Sequence, residues 1–159
     1  MGIKDYAEQR HIVPLHWEAN TATGVATKFV QLKTFQKVQF IACFGTMGTE
    51  SYTVKVQASA AAAGTTATDL AFSYRKTAVA GTDTMGALTD VAAASTVSMT
   101  YTTDSGKLLI IDVEGDELTA DKPYVGLYLT RGASATAQIL VLAILTPRYA
   151  QATSSGAVT

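Results

Sequence analysis

At 159 residues the chain suits one domain, close to the roughly 100–150 residues at which domains cluster. Hydrophobic residues make up 48% of it and charged residues only 16%, against about 25% in ordinary soluble domains, which leaves little surface to repel neighbours. The net charge is −1 and the 12 basic residues are scattered, with no run longer than Arg75-Lys76, which argues against the clustered footprint of a nucleic-acid binder.

The chain opens with a segment, residues 1–20, that holds both histidines, the only tryptophan and a cluster of charges. It lacks the apolar stretch of a signal peptide, so a soluble chain made in the cytoplasm is expected. We read it as an extended N-terminal arm that includes a short strand around Ile12-Val13. His11 and His16 are five apart, on opposite faces of an extended chain, and Pro14 interrupts any helix that would bring them together. Without a third His or a Cys nearby they make no zinc set, and no metal or other cofactor is expected.

From Val25 the dominant period is two. Val25 to Leu32 reads as a first strand. In the next segment Val38, Phe40, Ala42 and Phe44 share one face, with Lys37 and Gln39 on the other, and Tyr52 to Ala58 alternates more cleanly still. Such alternation marks strands with one packed face and one wet face. Between them, Gly45-Thr46-Met47-Gly48-Thr49 suits a hairpin. Cys43, the single cysteine, lies in an apolar stretch without a thiolate-stabilising partner and reads as a small buried hydrophobe.

Downstream, Leu70 to Lys76 reads as one strand, with Leu70, Phe72 and Tyr74 inward. Val97, Met99 and Tyr101 alternate with Ser98 and Thr100. Lys107 to Val113 and Tyr124 to Arg131 are further strands, and only Asp116 to Ala120 looks helical. Gln138 to Thr146 is apolar on both faces, as a strand in mid-sheet would be. Its strongly apolar part, Ile139 to Leu145, is far short of the roughly 20 residues that span a bilayer. Glycines punctuate these strands, and the Ala/Ser-rich stretches at 58–66 and 91–95 read as linkers. Many short strands with glycine-rich turns indicate an all-β, antiparallel sandwich or barrel. About eight strands favour a jelly-roll-like order over residues 21–149, between the 1–20 arm and a loose tail at 150–159.

Little here carries chemistry. Alternate carboxylates at Asp112, Glu114 and Asp116 could share a hard cation, but the spacing is not that of a calcium loop, and a strand end with a capped turn is the simpler account. No G-x-S-x-G elbow or phosphate-cradling glycine loop occurs, and no catalytic residue is expected. Phe29, Phe35, Phe40, Phe44, Tyr52, Phe72 and Tyr74 fall mostly at inward positions and read as core rather than as a sugar-stacking platform.

Two end segments, Tyr6-Ala7-Glu8-Gln9-Arg10-His11 and Pro147-Arg148-Tyr149-Ala150-Gln151, resemble those of a family of small virion proteins from tailed bacteriophages. Ala71-Phe72-Ser73-Tyr74 and Ile110-Ile111-Asp112-Val113-Glu114 are similar to it as well. The resemblance implies a non-enzymatic structural protein on the capsid surface of the virion, decorating or cementing the major capsid protein lattice. It also implies a homo-oligomer, with a trimer suggested by the local threefold positions of such lattices. Tyr6, Arg10, His11 and Trp17 are then the expected interface residues, with Trp, Tyr and Arg as anchors. On this account, deleting residues 2–18 abolishes capsid association without unfolding the domain. Trp17 could instead cover one open end of the sandwich. The alternatives are a head–tail connector, tail or fibre-base subunit, and a carbohydrate-binding β-sandwich module.

Overall fold

The computed structural model describes residues 10–19, 24–49, 51–132 and 138–148. Among them twelve strands build two antiparallel sheets. In chain order they are β1 (His11–Ala19), β2 (Gly24–Ala26), β3 (Val30–Gln31), β4 (Phe35–Phe44), β5 (Tyr52–Ser59) and β6 (Thr68–Leu70). Then follow β7 (Phe72–Lys76), β8 (Thr89–Val91), β9 (Val97–Met99), β10 (Leu108–Glu114), β11 (Tyr124–Arg131) and β12 (Gln138–Pro147). The first sheet runs β1-β12-β4-β10-β7-β8 and the second β2-β11-β5-β6, where β3 also pairs with β11 and β9 with β5.

Eight of these strands wrap as the all-β sandwich expected. Consecutive main strands change sheets at β1 to β2, β2 to β4, β4 to β5, β10 to β11 and β11 to β12. The first and last strands are neighbours, β1 against β12, and so are the second and the second-last, β2 against β11. That nesting is the double Greek key of a jelly roll. β7 and β8 extend the first sheet beyond β10.

The core lies between the sheets, filled by the alternate residues that the period-two pattern marks. Phe40, Ala42 and Phe44 of β4, Leu109 and Ile111 of β10, and Val141 and Ala143 of β12 come from the first sheet. Tyr52, Val54 and Val56 of β5 and Leu127 and Leu129 of β11 face them from the second. Each large side chain removed from water here is worth about 1.5–3 kcal/mol.

Several local expectations need correction. The glycine-bracketed segment after Phe44 is no hairpin: β4 and β5 lie in different sheets, and the segment arches across the core. Gly45 donates its N–H to the Gln138 carbonyl at 2.9 Å, which ties the start of the arch to β12. A flexible glycine serves an arch as well as a turn, so composition did not separate them. The expected single strand from Leu70 to Lys76 breaks at exposed Ala71, where the chain passes from β6 in the second sheet to β7 in the first. The inward alternation survives that corner because both sheets face one core. Tyr101 does not continue β9; it opens a single helical turn, Tyr101–Asp104, and is exposed. The helical turn expected at Asp116–Ala120 sits slightly earlier, as a 3-10 turn over Gly115–Glu117 closed by a reciprocal capping box between Glu114 and Glu117.

The expected first strand, Val25 to Leu32, is split into β2 and β3 by Thr27, Lys28 and Phe29. Thr27 keeps the ladder closed: its N–H donates to the Leu127 carbonyl at 2.9 Å, and its hydroxyl accepts the Leu127 N–H at 3.0 Å. Phe29, only 1% exposed, is buried against the outer side of β11. It fits there because Gly126 and Gly64 have no Cβ; one added at either would meet its ring at 2.8 Å or 2.5 Å. The Ala/Ser-rich stretch after β5 is thus a built lid over Phe29. Buried Ser59 fixes it, donating to the Thr65 carbonyl at 2.9 Å and accepting the Ala61 N–H at 3.2 Å.

At the N-terminus, the strand expected near Ile12-Val13 runs over nine residues and pairs with β12 along its length, so His11–Ala19 is the edge strand of the first sheet. Residues 1–9 and the tail at 150–159 lie outside the described residues.

Candidate interaction surface

The outer faces of the two sheets differ in chemistry. On the second sheet, the outward residues of β5 are Thr53, Lys55 and Gln57, beside Asp69 of β6 and Tyr124, Tyr128 and Thr130 of β11. Lys55 pairs with Asp69 at 2.9 Å and lies over the Tyr128 ring, 5.4 Å from its centroid. Gln57 donates to the same Asp69 oxygen, Oδ1, at 2.8 Å, while Lys55 also reaches Oδ2 at 3.0 Å. These bonds hold the Asp69 carboxyl below its ordinary range, Gln57 first and then Lys55. This is the wet face that antiparallel sandwiches normally show.

The first sheet differs: over most of its four strands β1, β12, β4 and β10 the outer face is apolar. Register places Trp17, Leu140, Cys43 and Leu108 side by side across the outside of the sheet. The next row is Pro14, Leu142, Ile41 and Ile110, and the row after begins with Ile12 and Ile144 before turning polar at Gln39 and Asp112. Ile12 is 48% exposed and Trp17 74%. The middle of the patch is half-buried because its own neighbours shield it. Contiguous apolar patches of this kind, with a polar border, mark surfaces that other molecules cover.

A β-bulge sets the position of Trp17. Pro14 pairs with Leu142 and His16 with Val141, so Leu15 is an extra residue in β1, and it turns into the core at 4% exposure. With unbroken register Trp17 would stand opposite Ile139 and point inward. The extra residue moves it opposite Leu140 and turns it out. Re-aiming a side chain is what bulges at sheet edges do.

Of the expected interface residues, Tyr6 lies outside the described ones. Trp17 is open and projects from the sheet face, so it does not cover an end of the sandwich. Arg10 is half-buried and donates to the Thr146 hydroxyl. His11 is packed edge-on against Phe35, with ring centroids 5.9 Å apart, which makes it a prop for β1 more than a contact. Trp17 and Arg10 therefore belong to the margin of the apolar patch, whereas His11 belongs to its support. Sequence reasoning missed the centre of the patch, because Ile41, Ile110, Leu140, Leu142 and Ile144 come from three strands far apart in the chain.

The other candidates have local partners. Lys37 sits between Asp112 and Glu114, at 3.2 and 3.4 Å, where a cation was considered. Partial burial works against its charge, but Asp112 and then Glu114 outweigh that and hold the Lys37 ammonium above its usual range. Among the described residues no group of three His, Cys, Asp or Glu is placed to hold a metal ion. Phe29, Phe35, Phe40, Phe44, Tyr52 and Phe72 are all buried, which makes them packing residues rather than a sugar platform. Cys43 is half-buried in the outer patch rather than in the core, and burial pushes its thiol pKa up. No described helix is long and apolar enough to cross a membrane.

A second polar cluster holds the far end of the first sheet. Asp104, 6% exposed, pairs with Lys76 at 3.0 Å and Lys107 at 3.2 Å and accepts the Thr100 N–H at 3.0 Å. Burial alone would raise its pKa; the Thr100 bond and the two ammonium groups reverse that and leave it lowered. This cluster pins the helical turn to β7 and β10.

Fold and surface together define a jelly-roll sandwich with one polar and one apolar outer face. Neither the protein-family models nor the curated proteins compared with the chain match it. Among solved structures it is similar to the SPBc2 prophage-derived protein YomS, at 16% identity and a TM-score of 0.45, over 86% of this chain and 91% of that one.

Proposed function

We propose that the protein is a non-enzymatic structural component of a tailed-phage virion that decorates or cements the capsid by binding the major capsid protein lattice. The observation that carries this reading is the exposed β1 margin of the apolar outer face of the first sheet, where Ile12 and Trp17 stand open. A rigid jelly roll with such a face is built to be covered by protein. The scarcity of charge, 16% of residues, fits a chain that spends its working life packed among neighbours. The end segments that resemble small phage virion proteins supply the particle. In this reading β1 forms the capsid-facing margin, where Arg10 and Trp17, with Tyr6 upstream, touch the lattice. Several copies acting together turn a weak single contact into firm attachment.

The test is cosedimentation of the purified protein with empty phage heads and, separately, with isolated tails. Because β1 is an integral edge strand, deleting residues 2–18 would strip the sheet and confuse unfolding with lost contact. Trp17→Ala is the cleaner variant. Saturable binding to heads, weakened tenfold or more by Trp17→Ala, is the expected result. Binding to tails alone would move the protein to a connector or tail position, and binding to neither would remove the virion reading.

A further inference from the structure

We infer that the centre of the apolar face on the first sheet, around Ile41, Ile110, Leu142 and Ile144, is covered by a second copy of this chain packed face to face. The inference deepens the reading of this face as a protein-contact surface, and it does not depend on the particle.

Two ways of joining copies through this sheet are open to a strand-built protein. One adds strands edge to edge at β1. That edge carries Pro14 and the bulge at Leu15, the devices by which sheets block continuation of the ladder. The other stacks two sheets face to face, as the two sheets of the sandwich already stack on each other, about 10 Å apart. Among the described residues the first sheet offers the more apolar outer face for this, because the second carries Thr, Tyr and the mutually bonded Lys55, Gln57 and Asp69.

The charge of the face fits a self-partner, and its area sets what the contact must include. Four strands about 4.8 Å apart and three rows about 6.8 Å apart, with side-chain margins, give a footprint on the order of 20 Å by 20 Å. That is about 400 Å², half of the roughly 800 Å² per partner that a standard stable interface buries, so the polar border must supply the other half. The border carries both signs, Lys37 and Arg75 against Asp112, Glu114 and Asp90, so bringing it against its own copy is not dominated by like-charge repulsion. A face that meets itself must be complementary to itself about a two-fold axis. An aliphatic centre with a nearly neutral border fits that condition chemically.

The experiment is sedimentation velocity of the full chain from about 1 to 100 µM, a range that spans weak to moderate affinities. Alongside it, the rate of maleimide labelling of Cys43, which lies in the patch, is followed over the same range. A monomer–dimer equilibrium with Cys43 labelling slowed at least fivefold in the dimer is expected. Leu142→Lys should shift the equilibrium at least tenfold toward monomer while the circular dichroism spectrum stays that of the wild type. A chain that stays monomeric throughout overturns the inference. So does a dimer or trimer whose Cys43 labels at the monomer rate. Should Leu142→Lys fail to fold, Ile41→Thr replaces it with the same expected direction. Head binding is measured apart, so a dimer that ignores phage heads removes the capsid reading alone, and a monomer that binds heads removes this one alone.

Discussion

Trp17 stands directly opposite Leu140 in the β1–β12 ladder, on the side of the sheet that faces away from the core. Leu15, two residues earlier, is buried on the other side. A single extra residue in β1 therefore separates a core leucine from a surface tryptophan. The same bulge gives the apolar face its aromatic margin.

From this placement, Trp17→Ala should leave the unfolding free energy within about 0.5 kcal/mol of wild type, as surface substitutions usually do. Phe40→Ala, at a fully buried site between the sheets, should lower it by about 3–5 kcal/mol. Urea unfolding followed by circular dichroism measures both. A large loss from Trp17→Ala would mean that the indole is packed, against the placement described.

Gly126 should tolerate no side chain while Phe29 lies over it. Gly126→Ala brings a methyl to within 2.8–3.0 Å of three ring atoms, and about 1–3 kcal/mol of overpacking is expected. Trimming the ring with Phe29→Leu should relieve part of that, so the double variant loses less than the sum of the singles. Strict additivity in the double-mutant cycle would contradict the contact.

Asp104 gives the fold an acid-sensitive fastening. Its folded pKa is below the ordinary carboxylate value, so its contribution is full above the unfolded pKa, near pH 4, and is lost as pH falls through the folded value. Asp104→Asn removes this proton linkage, and its urea midpoint should fall less steeply below about pH 4 than that of wild type. At neutral pH, Asp104→Ala should cost about 2–3 kcal/mol, short of the roughly 3–5 kcal/mol of a fully buried pair because both lysines reach water. Equal acid sensitivity in wild type and Asp104→Asn would show that the pH response lies elsewhere, with Asp69 the next carboxylate to test.

How far the sequence carries is visible element by element. Tyr124–Arg131 was read to the residue, and β4, β5, β10 and β12 to within a few, because their alternation reports a face buried over a whole strand. The apolar character of Gln138–Thr146 on both faces correctly placed it within a sheet, between β1 and β4. Short strands were harder. Leu70–Lys76 kept its period across a corner between sheets, and the β4–β5 arch carried the glycines of a hairpin. Of the expected interface residues, Trp17 was recognisable as an unusual residue in an unusual segment, and His11 was not separable from it by composition.

Local chemistry determined which residues turn inward and that the chain folds as strands, since alternation acts over neighbours two apart. Which strands lie side by side is fixed by contacts across the core and between distant parts of the chain. Only the tertiary structure therefore brings Trp17, Ile41, Ile110 and Leu142 to one surface, and only the register slip at Leu15 turns the indole outward. Each of these residues alone reads as an ordinary strand residue. Their sum, a sheet with apolar residues on both sides, is a property of the ladder and not of any one segment.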